Sequence, residues 1–175
     1  MPVHAFVDES KVRGLVVVAA VVHPRDLTST RTAMRSLLLP RQSHLHFVKE
    51  EAARKGQIAD AICGLPVELD IYDASAIKNQ KQARDRCLER IVADLASRGA
   101  HRLVIEQDDS RLRTDREVLY QAVREHAVQD WLVYEHLPAR SEPLLWIPDA
   151  AAWCWTKDTR WRERIQSAVR HIVPV

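Results

Sequence analysis

The sequence has little glycine, only four in 175 residues, and none of them forms a glycine-rich turn after an apolar run. That excludes the phosphate-cradling loops of nucleotide-binding folds and weighs against a flavodoxin-like ligand-binding domain. Cysteine is equally sparse. Cys63, Cys87 and Cys154 are odd in number and far apart, with no CxxC pair and no His at zinc-finger spacing. Neither a disulfide framework nor a structural zinc is expected, and the three read as small buried apolar residues. No apolar run approaches the roughly 18 to 20 residues that cross a bilayer, and the opening MPVHAFVDES lacks the basic head and long apolar stretch of a signal peptide. A cytoplasmic protein with no membrane partner is the expectation. A dominant charge is missing too, because a net charge of +2 is too small to argue for nucleic acid by itself.

What is present is ordinary globular usage. With 46% apolar and 29% charged residues the chain has enough apolar side chains for one continuous core, so a single domain over residues 1–175 is expected. Val3–Val7 and LVVVAAVV read as two strands joined by a short polar turn near Gly14. Leu27–Leu39 has helical spacing, with Asp26 as its cap and Pro40 as its stop. Lys49–Cys63 is again helical, and VELDIYDA alternates as a half-buried strand does. Residues 79–98 form the longest predicted helix, with Gly99 as its stop. HRLVIEQ is the next strand, the segment RLRTDREVLYQAVREHAV a helix, and WLVYEHL a last strand. Leu144–Trp155 and Arg160–Ile172 are read as two closing helices, with Pro148 in a first turn. A hairpin followed by alternating strands and helices predicts an α/β fold, a mixed sheet flanked by helices.

Within that order, four acidic residues stand at the ends of apolar runs: Asp8 after HAFV, Asp73 after ELDIY, Glu106 after RLVI and Asp149 after LLWIP. Acidic residues are common where strands end, so one alone says little; four such ends on neighbouring elements are positioned to converge on one metal site. Clustered carboxylates without cysteine suit Mg2+ or Mn2+, hard ions that take oxygen ligands, water and substrate phosphate. Metal-dependent phosphodiester chemistry is the function class this points to.

Other residues carry weaker signals. Glu9 lies on the opposite strand face from Asp8 if the strand persists, a supporting or structural position unless the strand bulges there. Glu50 and Glu51 suit the positive end of a helix dipole, and Asp108 and Asp109 have turn composition. His44 and His46 flank Leu45 and share a face if the segment is extended; a histidine there either shuttles a proton or binds phosphate, or is a partly buried hydrogen-bonded side chain. Basic residues gather over Lys78–Arg90 and Lys157–Arg170, positioned to track phosphates or simply forming solvated helix faces. All five tryptophans lie between Trp131 and Trp161. They are core residues on closing helices, or a surface for bases or a protein partner, with Trp155 and Trp161 the better candidates for exposure.

FVDES, LVVVAAVV, HLHF, RLVIEQ and LLWIPDAAAW together resemble the bacterial family called domain of unknown function 3800, along nearly the whole chain. That resemblance implies a ribonuclease H-like fold and a nuclease, a hydrolase in which Asp8, Glu106 or Asp73, and Asp149 ligate magnesium. It also places a histidine at His46. Between Asp73 and Glu106 the choice stays open, with Glu106 slightly ahead. QIADAICG, around Asp60, matches the late family motif better than LLWIPDA does, but it sits too early and inside a helical pattern, with Asp60 facing out. Lys11 stands where the family has Gly, and Trp146 and Pro148 replace Gln and Ala of the late motif. Those departures motivate a second expectation, a catalytically silent module that binds nucleic acid or a protein partner.

Overall fold

In the computed structural model, which describes residues 2–175, a six-stranded mixed sheet has the order β5-β4-β1-β2-β3-β6. β1 (His4–Ser10) and β2 (Leu15–Val22) form the antiparallel hairpin, and β3 (Val67–Ala74) lies antiparallel to β2. β4 (Arg102–Glu106) runs parallel to β1 and β5 (Val133–Leu137) parallel to β4. β2 is buried along its whole length, which explains its unbroken apolar sequence: both faces of this central strand are covered.

Helices cover the two faces as their apolar stripes require. On one face α1 (Leu27–Ser36), α2 (Ala52–Cys63), α5 (Trp146–Lys157) and α6 (Thr159–Ile165) bury Met34, Ile58, Ile62, Cys154 and Ile165 against Phe6, Val18 and Val104. On the other, α3 (Gln80–Ser97) and α4 (Leu112–Glu125) bury Ala83, Cys87, Ile91, Leu119 and Val123 against Val7, Val17 and Ile105. Asn79 caps α3, its side chain accepting from the Gln82 amide at 3.0 Å. Among the described residues no helix is long and apolar enough to cross a membrane.

Several boundaries differ from the sequence reading. β1 does not stop at Val7 but pairs with β2 through Ser10, because the alternation of faces continues through Asp8 and Glu9. HLHF is irregular chain followed by a short 3-10 turn, although Leu45 and Phe47 are buried as the alternation implied. Asp26 makes no capping hydrogen bond with its side chain, and α1 ends at Ser36. The second closing helix ends at Ile165, after which the chain forms a sixth strand, β6 (Val169–Pro174), parallel to β3. The exposure expected for Trp155 and Trp161 is also overturned. They are 5% and 8% exposed: Trp155 belongs to α5, which is apolar nearly all round and packs on the sheet, and Trp161 on α6 packs into the same core beside Trp153. Trp131, outside the closing helices, is the exposed one at 47%.

Gly14 closes the β1–β2 hairpin at φ +87°, and a Cβ there would lie 2.7 Å from the Ser75 Cα. Both the left-handed backbone and the contact act against any side chain. Gly14→Ala is therefore expected to cost about 1–3 kcal/mol, read as a lowered midpoint in urea with an unchanged slope.

Candidate active site

β1 and β4 are paired in register up to Val7 and Ile105. One residue further along each strand come Asp8 and Glu106, on the face that holds Phe6 and Val104. There β4 ends while β1 runs on, and a cavity of about 510 Å³ opens chiefly on the other, α3 and α4 face, where Val7, Val17, Leu88, Ile105, Glu9 and Arg84 line it, reaching Asp8 and Glu106 at the strand ends. This is the position at the carboxyl ends of strands, beside a change in strand direction, where open α/β sheets form their crevices. A smaller cavity of about 140 Å³ adjoins it, lined by His44, His46, Glu106, Trp146 and Asp149, so that Glu106 borders both.

Asp149 arrives from the first turn of α5. Its Oδ2 accepts from the Phe47 amide at 3.1 Å, tying the helix start to the segment that carries His46. On α5 only Asp149, Trp153 and Lys157 are not fully buried, a single line at four-residue spacing. Trp153 packs edge-on against Phe47 and Trp161 at centroid distances of 5.4 and 5.2 Å, with Lys55 and Lys157 over its ring.

The carboxyls bear on one another's ionisation. Burial pushes the Asp8 carboxyl well above the ordinary range, and the neighbouring carboxyl of Glu106 and then the charge of Asp149 push it further. The Glu9 amide, donating to Asp8 Oδ1 at 2.7 Å, offsets part of that. Asp149 is raised to about 6, mainly by burial and then by Glu106, against the Phe47 amide and the positive character of His46. Asp8, Glu106, Asp149 and His46 therefore act on one another across a small volume. Among the described residues, no group of three or more His, Cys, Asp or Glu is drawn together tightly enough to hold a metal ion as it stands.

The structure does not bring Asp73 into this set. It is level with Val16, which in turn opposes Ser10, so β2 separates it from β1 by two strand spacings, about 10 Å. Its Oδ1 accepts from the Ser75 amide at 2.9 Å as a turn residue does. Asp60 is exposed and pairs with Arg164 at 2.9 Å. Glu50 pairs with Arg54 and accepts from Gln42, while Glu51 is exposed just before α2. Asp108 accepts from the Ser110 amide and hydroxyl, and Asp109 from Gln107, both on the cavity wall.

The basic stretches are mostly spent on intramolecular partners: Lys81 on Asp85, Arg90 on Asp94, Arg162 on the Trp155 carbonyl and Arg170 on Glu68. Arg84 departs from the solvated-face reading altogether. It is 7% exposed and sits behind the site with Glu9, Asp115 and His136, a set that the sequence reading missed. Its signal was available: Arg84 lies in register with Leu88, Ile91 and Leu95 on the buried stripe of α3.

The chain matches no family model and no curated protein in sequence. In shape it matches a chain of the PCNA:RNase HII complex from Archaeoglobus fulgidus with a TM-score of 0.55 and 19% identity, over 93% of this chain and 75% of that chain. The fold is ribonuclease H-like. At that identity the likeness carries the fold alone, and in this ribonuclease H-like frame the carboxyl set spans the first strand, the adjacent parallel strand and the first turn of a late helix.

Proposed function

We propose that this chain is a divalent-metal-dependent nuclease or phosphoryl-transfer enzyme acting on nucleic acid, of the kind the domain of unknown function 3800 resemblance implies. One observation supports the reading: the carboxyls of Asp8 and Asp149, from β1 and α5, are both harder to ionise, first through burial and then through the charge of Glu106 on β4. A fold gains nothing in stability by gathering like charges, and such a set is the usual mark of a site.

The donor set suits Mg2+ or Mn2+: it is built from carboxylates, the cysteines are elsewhere, and a dication would offset both the burial and the neighbouring negative charge that raise Asp8. When bound, the metal supplies charge stabilisation for an in-line displacement at phosphorus and lowers the cost of forming hydroxide from water. The chain's own residues do the rest. Asp8, Glu106 and Asp149 would hold the ion, the Phe47 amide fixes Asp149, and the Glu9 amide aims Asp8. His46, exposed at the mouth of the smaller cavity, is placed to deliver or take a proton or to contact phosphate. Trp146 and Pro148, which replace the family's Gln and Ala, are both buried, and the Trp146 indole donates to the Ala139 carbonyl at 2.7 Å. Neither substitution removes a carboxyl from the set.

The test is cleavage of single-stranded, duplex and RNA–DNA hybrid substrates with Mn2+, comparing the natural chain with Asp8→Asn. Mn2+-dependent products with the natural chain and none with Asp8→Asn are expected. Equal products from both assign the activity to a contaminant, and none from either supports the silent module instead.

A further inference from the structure

A line of side chains leads away from Asp149 along the open side of α5. Asp149, Trp153 and Lys157 follow one another at four-residue spacing, about 6 Å apart on a helix that rises ~1.5 Å per residue. Trp146, Trp155 and Trp161 on the closing helices are buried in the core, whereas Trp153 is only half-buried. A half-exposed indole leaves apolar surface in water that a smaller side chain would not. Phe47 and Trp161 hold it from the side, both edge-on, so the orientation of the ring is fixed before anything binds.

The charges beside that ring are uncompensated. Lys55 Nζ lies 4.7 Å from the ring centroid and donates to the carbonyls of Val48 and Glu50 at 3.1 and 2.8 Å, so one of its three ammonium hydrogens remains for a ligand. Lys157 Nζ lies 5.6 Å from the same centroid, on an exposed side chain with no hydrogen-bond partner among the described residues. The carboxylates of the surrounding segments are engaged elsewhere: Glu50 with Arg54 and Gln42, Asp60 with Arg164, and Asp158 with the Trp161 amide. Neither lysine has an acidic partner, whereas Lys11 and Lys81 both do. At the other end of the line stands the exposed His46, whose neighbour Phe47 donates its amide to Asp149. A fixed aromatic ring beside uncompensated cations suits a single strand of nucleic acid, with a base on the ring and phosphates on the lysines. A duplex keeps its bases stacked on one another and offers no free face.

We propose that Trp153, Lys55 and Lys157 form a subsite for single-stranded nucleic acid that leads into the carboxyl set. This rests on the nucleic-acid reading above but needs neither metal nor turnover. Lys157 leaves the ring for a phosphate when a base arrives, because base stacking outweighs an exposed lysine–ring contact. Lys55, tied to two carbonyls, stays in place.

Fluorescence anisotropy of a labelled oligothymidylate of about ten nucleotides, measured in chelator, tests the subsite. The natural chain is expected to bind it about tenfold more tightly than a blunt duplex of the same length, and Trp153→Leu to lose about tenfold with an unchanged salt dependence, the effect of one base stack. Lys157→Gln is expected to lower the slope of log affinity against log salt by about 0.7, the share of one phosphate on a single strand. Lys78→Gln, the same charge change on an exposed lysine just before α3, alters neither quantity. No binding by the natural chain overturns the proposal, as do equal or tighter binding of the duplex, an unchanged affinity in Trp153→Leu, or a Lys78→Gln effect equal to that of Lys157→Gln. Circular dichroism and the urea midpoint establish that each variant is folded. If Trp153→Leu does not fold, the comparison of Lys157→Gln with Lys78→Gln decides, since both side chains are exposed. Failure of the catalytic reading looks different. Binding with this pattern but no Mn2+-dependent cleavage keeps the subsite and leaves a silent module, whereas cleavage that Asp8→Asn abolishes and Trp153→Leu spares keeps the nuclease and removes the subsite.

Discussion

Asp149→Asn is expected to make the metal-free protein more stable at pH 7.5 and to leave its stability nearly unchanged near pH 3. The carboxyl ionises at about 6 in the folded protein, against an ordinary value of 3.8. Between those two values the folded state binds more protons than the unfolded one, so stability falls as pH rises and stays lowered above 6. A displacement of that size corresponds to about 3 kcal/mol as an upper figure. Asparagine keeps an oxygen for the Phe47 amide and carries no charge, so it escapes the penalty. Urea denaturation in chelator at pH 3, 5 and 7.5 reads the effect, and a gain of the same size at pH 3 shows that it does not come from ionisation. On the proposed metal reading, Mn2+ or Mg2+ is expected to stabilise the natural chain at pH 7.5 and to do so far less in the variant, because the ion would replace the proton that Asp8 and Asp149 otherwise favour.

The same carboxyls show how much of the site was legible in the sequence. Asp8, Glu106 and Asp149 each end an apolar run, and the order of those runs was enough to place them on β1, β4 and α5. Asp73 has the same local signal but ends β3, and only the sheet order shows that β2 intervenes between it and β1. Pairing is a tertiary fact that period-2 alternation does not encode. For the same reason β6 was missed: its residues Arg170, His171 and Ile172 are exposed, and the strand exists because β3 offers it an edge. Arg84, Asp115 and His136 were missed for a different reason. Each is a polar residue in a segment rich in other polar residues, and a buried charge becomes intelligible only once its partners on other elements are known. The registers nonetheless held the clue, since Asp115 is one turn from Leu119 and two from Ala122 on the buried stripe of α4.

Asp115→Ala is expected to destabilise the protein by about 3–5 kcal/mol, because it leaves Arg84 and His136 inside the fold without the carboxylate that joins them. Its pH dependence runs opposite to that of Asp149. Burial alone raises the Asp115 carboxyl, but the hydrogen bonds from Arg84 and His136 outweigh it and hold it below the ordinary range. A depressed carboxyl contributes stability that is present above its unfolded value of 3.8 and is lost as pH falls through its folded value. The natural chain therefore loses this contribution in acid, and the difference from Asp115→Ala shrinks as pH falls below about 4, whereas the difference from Asp149→Asn, of the other sign, has already faded as pH falls from about 6 to about 4. Urea midpoints for both variants between pH 3 and 7.5 display the two slopes. If Asp115→Ala costs no more at pH 7 than the charge-balanced pair Arg84→Met with Asp115→Asn, the buried guanidinium has found water, and the sheet is open to solvent behind Glu9. A large gap between them means that the interior there is dry, the condition under which Arg84 holds Glu9 firmly.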